Sequence, residues 1–102
     1  MVKHINNLAE FKKLVREEKR PIIVDFTATW CGPCKMIAPE FEKLSHEFQN
    51  ICFVKVDVDE GKDIATEYDV TAMPTFMKFV NGTLVGSFSG ASKDMLMQLV
   101  IN

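Results

Sequence analysis

An α/β fold, with a mixed central sheet and helices on both of its faces, is predicted by three features of the sequence. Short apolar, β-branched runs alternate with segments of helical periodicity, the pattern of parallel strands joined by crossover helices. One of these runs, residues 22–27, is apolar almost throughout, as in a strand covered on both sides. Asn81-Gly82 separates two further strand-like runs. That dipeptide closes tight hairpins because both central residues of the turn take positive φ, and it adds an antiparallel edge to the sheet.

The elements follow in order. Residues 2–5 form a first, short strand. Leu8, Phe11, Leu14 and Val15 recur at helical spacing among Glu, Lys and Arg, with Asn6 or Asn7 placed to cap the start. Pro21 breaks that helix, and residues 22–27 make the second strand. After Trp30-Cys31-Gly32-Pro33-Cys34, the positions Ile37, Phe41, Leu44 and Phe48 define a second helix. Pro39 lies within it and predicts a kink, because proline removes one helical bond and crowds the preceding turn. Residues 51–58 alternate: Cys52, Val54, Val56 and Val58 share one side, Ile51, Phe53, Lys55 and Asp57 the other. Asp59 is placed to cap a short helix holding Ile64, Ala65 and Tyr68. Residues 75–80 and 83–88 are the hairpin strands, and Ser92 precedes a last helix carrying Met95, Leu96, Leu99 and Val100.

Composition narrows the function. With 102 residues, no repeat and no linker, residues 1–102 are expected to form a single domain. Hydrophobic residues at 47% and charged residues at 25% are ordinary for a globular chain. A net charge of −2 provides no basic field for a phosphate backbone, so no nucleic-acid partner is expected. No apolar run approaches the roughly 20 residues of a spanning helix, so no membrane partner is expected either. Residues 1–11 mix Lys3, His4, Asn6, Asn7 and Glu10 with single apolar residues, unlike a signal or transit peptide, and the expected location is cytoplasmic. In a reducing compartment three cysteines do not build a disulfide scaffold; any that matter do so by reacting.

Cys31 and Cys34 are the first candidates. Two intervening residues allow a small disulfide ring, and a helix starting at Gly32 or Pro33 would put Cys31 at its positive end, where the dipole and free N–H groups favour a thiolate. Pro33 suits the first helical turn, where its missing N–H costs nothing. Cys34 falls one turn further in, more covered, so one thiol is poised to attack and the other to resolve. A zinc site needs four ligands, and only Cys52, His4 and His46 remain, scattered and unpaired. Asp25 interrupts the apolar run 22–27; a carboxylate there must titrate high or find a partner, and it could accept a proton behind the dithiol. Lys55, inward on the neighbouring strand pattern, is its expected partner. Trp30 and Met73 are large apolar groups at loop positions, a surface on which another chain could land. Cys52 reads as a buried small hydrophobe, His4 and His46 as solvated, and Met36, Met77, Met95 and Met97 as core positions. A redox-inert binding module and a metal-binding protein stay open as alternatives on these residues alone.

The residues also carry a resemblance. Asp25-Phe26-Thr27-Ala28-Thr29-Trp30-Cys31-Gly32-Pro33-Cys34-Lys35 resembles the active-site segment of the thioredoxin family. Lys55-Val56-Asp57-Val58-Asp59, Met73-Pro74-Thr75-Phe76, Asn81-Gly82 and Ser89-Gly90-Ala91 match that family's later landmarks in order, over nearly the whole chain and most of all in its small eukaryotic cytosolic members. The resemblance implies the thioredoxin fold, a central mixed five-stranded sheet flanked by four helices, with Met73-Pro74 cis and facing the dithiol. It implies a protein-disulfide reductase in which Cys31 attacks a substrate disulfide and Cys34 resolves the mixed disulfide, Asp25 relays a proton and Lys55 tunes it. Gly32, Pro33 and Pro74 would shape the site, and Trp30, Ala72, Met73, Pro74, Gly90 and Ala91 would hold the substrate backbone. No bound cofactor is implied: NADPH acts indirectly, through thioredoxin reductase. Peroxiredoxins and ribonucleotide reductase are the implied kinds of protein substrate, and a monomer the implied state. Gly61, Tyr68 and Ala72 stand where mammalian relatives carry extra regulatory cysteines, which puts thiol regulation and a disulfide-linked dimer in doubt.

Overall fold

Local chemistry sets the boundaries of most elements. The computed structural model describes residues 1–102 as β1 (Val2–His4), α1 (Leu8–Glu17), β2 (Ile22–Thr27), α2 (Gly32–Glu47), β3 (Cys52–Asp57), α3 (Lys62–Glu67), β4 (Thr75–Val80), β5 (Thr83–Ser89) and α4 (Lys93–Ile101). Asn7 caps α1, its side chain accepting the Glu10 N–H at 2.9 Å, and Ser92 caps α4 by accepting from Met95 N at 3.1 Å. Asn81 and Gly82 take φ of 52° and 81°, as the predicted hairpin turn requires. α2 runs on through Pro39 to Glu47, although the proline leaves the Lys35 carbonyl without its helical donor.

The sheet order is β1-β3-β2-β4-β5. β1 and β2 both pair parallel with β3, while β4 is antiparallel to β2 and β5 to β4. β2 therefore lies at the centre, with every residue from Ile22 to Phe26 buried. Alternation along β2 and β3 feeds two cores. Ile22, Val24, Phe26, Cys52, Val54 and Val56 pack on one face with Phe11 of α1 and Ile64 of α3. Ile23 and Phe53 pack on the other with Phe41 of α2 and Leu96 of α4.

Phe11 anchors the first core. It is fully buried, and its ring centroid stands 5.4 Å from Tyr68, 5.9 Å from Phe79 and 6.5 Å from Phe26. Phe11→Ala is expected to cost about 3–5 kcal/mol through lost transfer energy and the cavity left behind. Urea unfolding with an unchanged slope would measure it, and a loss below about 1 kcal/mol would mean that α1 collapses into the gap.

The structure corrects several expectations. The N-cap of α3 is Gly61, which makes no side-chain cap; Asp59 instead receives a bond from the Trp30 indole. β1 ends at His4, with Ile5 N still donating to Lys55 O at 3.1 Å. Met36, 76% exposed, and Met95, 49% exposed, are not core residues, because each stands on the outer face of its helix. Cys52 is buried as expected, and that burial pushes its thiol up against the opposing pull of Lys3 and Arg20.

Candidate active site

At the C-terminal end of β2 the chain turns into α2, and the turn carries the two cysteines. Cys31 is the N-cap residue, extended at φ −93° and ψ 114°, and its sulfur accepts the Cys34 N–H at 3.3 Å. Pro33 stands in the first helical turn, where no N–H is needed. The Cα atoms of Cys31 and Cys34 are 5.3 Å apart and the two sulfurs are bonded as a disulfide. Both residues are buried, packed with Ala28 against Val58 and Met73. The relative cover predicted for the pair is thus a small difference, 6% exposure for Cys31 against 3% for Cys34. A Cβ built on Gly32 would meet no atom within 4 Å, so the approach over the turn is open.

A second loop faces this turn. The Met73-Pro74 bond is cis, and Met73 O lies 3.7 Å from Cys31 Sγ, within reach of its S–H in the dithiol form. Thr75 Oγ1 ties the loop to Ala72 O at 2.5 Å and to Ser89 Oγ at 2.8 Å. Gly90 N donates to Pro74 O at 2.9 Å, and Gly90 takes a φ of 107° that a side chain would resist. Trp30, Met73, Pro74, Gly90 and their neighbours Ala72 and Ala91 thereby come from three distant segments to one rim. Ala72 and Ala91 are exposed, while Pro74 is buried beneath them.

Trp30 is 64% exposed, yet its indole Nε1 donates to Asp59 Oδ2 at 2.8 Å. Asp59 is itself held in a turn, where Asp57 Oδ1 accepts from Asp59 N at 2.8 Å and from Glu60 N at 3.2 Å. Reading the sequence missed this role for Asp59. Its signal is an Asx turn, Asp57 bonding two residues onward, which leaves the second carboxylate free to face outward.

Asp25 is 1% exposed on β2, and its Oδ1 has no hydrogen-bond partner. Burial lifts its carboxyl from 3.8 to about 7, with the Lys55 charge pulling the other way. Lys55 stands directly opposite Asp25 in the parallel ladder between β2 and β3, half-buried. The expected partnership is therefore a through-space one: the two residues share a face and Lys55 acts on Asp25 by its charge, but they form no ion pair. His4 and His46 are exposed, and no group of three or more His, Cys, Asp and Glu side chains is arranged to hold a metal ion.

The chain is similar in sequence and fold to known proteins. The family model described as Thioredoxin matches residues 2–102. The chain is 46% identical to thioredoxin of Gallus gallus over 101 residues, 98% of this chain and 96% of that one. Among solved structures it is similar to the Entamoeba histolytica protein studied as its C34S mutant, with a TM-score of 0.93, 46% identity, and coverage of 98% and 97%. A chain from a study of thiol resolution in yeast mitochondrial 1-Cys peroxiredoxin aligns with a TM-score of 0.90 and 43% identity, over 95% and 91% of the two chains.

Proposed function

Because the chain belongs to the thioredoxin family, we propose a role for each residue of the site, beginning from the reaction that membership establishes. The protein is a thiol-disulfide oxidoreductase, a dithiol reductase of protein disulfides whose redox group is the reversible Cys31–Cys34 disulfide. It acts with thioredoxin reductase, through which NADPH supplies the electrons.

In the proposed sequence the Cys31 thiolate attacks one sulfur of a substrate disulfide. A Cys31–substrate bond forms as the substrate bond breaks, and one substrate thiolate leaves. Cys34, deprotonated, then attacks Cys31 sulfur and expels the second substrate thiolate. The substrate gains two electrons and two protons, and the protein is left as the disulfide. The N-cap position of Cys31 supports its role as nucleophile, because the Cys34 N–H and the helix dipole stabilise negative sulfur, an effect long illustrated by this family's own CxxC motif. A buried carboxyl that titrates near neutrality supports Asp25 as acceptor of the Cys34 proton, with Lys55 restraining its rise. Gly32 and Pro33 shape the turn and Pro74 its opposite wall. Trp30, Ala72, Met73, Pro74, Gly90 and Ala91 form the groove for an extended substrate backbone, a reading supported by their convergence on one rim around Cys31.

The finer assignments rest on likeness. A peroxiredoxin substrate is supported by the yeast structure aligned above. Ribonucleotide reductase as a substrate, the monomeric state, the single domain over residues 1–102 and a cytoplasmic location follow from the resemblance to small eukaryotic cytosolic thioredoxins. The observation that carries the whole reading is the disulfide at the start of α2 with a buried carboxyl on the preceding strand. NADPH oxidation with thioredoxin reductase and insulin tests it. Wild type should turn over and Cys31→Ser should not; equal rates would remove Cys31 from the mechanism.

A further inference from the structure

Lys78 repeats, with opposite charge, the anomaly of Asp25: an ionisable residue in an otherwise apolar strand. It lies on β4 two residues after Phe76, on the face covered by α4, and is 7% exposed. Its Nζ donates to Val100 O at 3.3 Å, beneath the last turn of α4, where unpaired carbonyls present the negative end of the helix. Of its three N–H donors only this one has a protein acceptor, and no carboxylate pairs with it. A buried cation so sparsely partnered is costly unless an acceptor reaches it from outside.

The fold leaves a route for one. A groove of about 400 Å³ runs between β5 and α4 with Lys78 in its lining, within the size range of small-molecule sites. Its apolar lining is Val85, Phe88, Met95 and Leu99, and Ser87, Gln98 and Asn102 add polar groups. The β4–β5 ladder shifts register here: Lys78 pairs with Gly86 while Phe79 pairs with Leu84, so Val85 is the extra residue of a bulge. The residue opposite Lys78 is thus a glycine, and β5 carries no side chain at that position. A Cβ at position 86 would also stand 2.9 Å from Leu99 Cδ1. Val85 and Met95 expose apolar surface beside the groove.

We propose that this groove binds a small carboxylic acid with an apolar tail, its carboxylate held by Lys78 Nζ and its tail laid along Val85, Phe88, Met95 and Leu99. A single cation among hydrocarbon walls suits one carboxylate; phosphate groups call for several donors. The site is separate from the dithiol, so it does not depend on the redox mechanism.

Titration of octanoate into the full-length ¹⁵N-labelled protein, followed by amide shifts, tests the proposal. Saturable shifts are expected at Val85, Gly86, Phe88, Gln98 and Leu99 and not around Cys31. Octanamide, equal in length but neutral, should bind at least about tenfold more weakly, because it lacks the charge that Lys78 meets. Lys78→Met should lose that preference while its spectrum stays folded and its insulin reduction stays unchanged. Shifts that do not saturate, shifts centred on the dithiol, or equal affinity for octanoate and octanamide in the wild type would each overturn the proposal. An unaltered octanoate affinity in Lys78→Met would overturn it as well.

Discussion

Cys34→Ser should leave the protein covalently joined to its disulfide substrates. Attack by Cys31 makes a mixed disulfide, and release depends on the free Cys34 thiol of the same turn, held at a Cα separation of only 5.3 Å. Intramolecular attack of this kind carries effective molarities of about 10⁵ M or more, so no solution thiol at cellular concentration replaces it. Serine keeps the size and the helix, but its hydroxyl cannot attack the mixed disulfide and expel the substrate thiolate. Turnover with thioredoxin reductase and insulin should fall by at least about 10³-fold. A band at the summed mass of protein and substrate should persist on a non-reducing gel and disappear with dithiothreitol. Should Cys31→Ser trap substrate and Cys34→Ser not, the two roles are reversed.

Asp25→Asn should raise stability at neutral and alkaline pH while slowing the chemistry. Asp25 has its folded carboxyl near 7 against 3.8 ordinarily, the cause being burial with an unpartnered Oδ1. Between those values the native state holds a proton that the unfolded state has released. Wild-type stability therefore falls as pH rises from about 4 to about 7 and is flat above, the reverse of a salt-bridged aspartate. A rise from 3.8 to about 7 corresponds to a ceiling of about 4 kcal/mol at pH 8, less whatever the asparagine amide loses by its own burial. Urea midpoints measured from pH 4 to pH 8 should slope for the wild type and be level for the variant. Disulfide exchange near pH 7 should slow by roughly 10²-fold, since a positioned proton acceptor has gone. A variant less stable than wild type at pH 8 would show that the carboxylate is solvated or paired after all.

Asp25 and Lys78 are the two side chains of charged type buried in strands. Each interrupts an apolar run, and each lies at a position its strand buries. Asp25 stood out because the cysteines follow six residues later; Lys78 had no chemistry near it in sequence. What lies beside it, the last turn of α4, is 22 residues onward. Lys55 was placed on the right strand and face, opposite Asp25 in register, because alternation in β3 is a local property. That the two side chains stop short of an ion pair is not local. Asp59 was misread for the same reason: an acidic residue shortly before a helix suggests a cap, and only the folded chain brings the Trp30 indole to it.

The sequence by itself determined the order of nine elements, the hairpin turn at Asn81-Gly82, the cap at Ser92, a cap at Asn6 or Asn7 that the structure places on Asn7, and a dithiol between a strand and a helix. All of these are decided within a few residues, by side-chain periodicity, by turn conformations and by backbone groups seeking the nearest acceptor. Tertiary structure decided what surrounds them. The sheet order β1-β3-β2-β4-β5 sets β2 between β3 and β4, which buries Asp25 and brings the start of β4 to the end of β2. Met73 O thereby reaches Cys31 from 42 residues away, and Lys78 comes to lie beneath α4. Such contacts depend on which strands pair and in what register, a choice made by the burial of both sheet faces together rather than by any one segment.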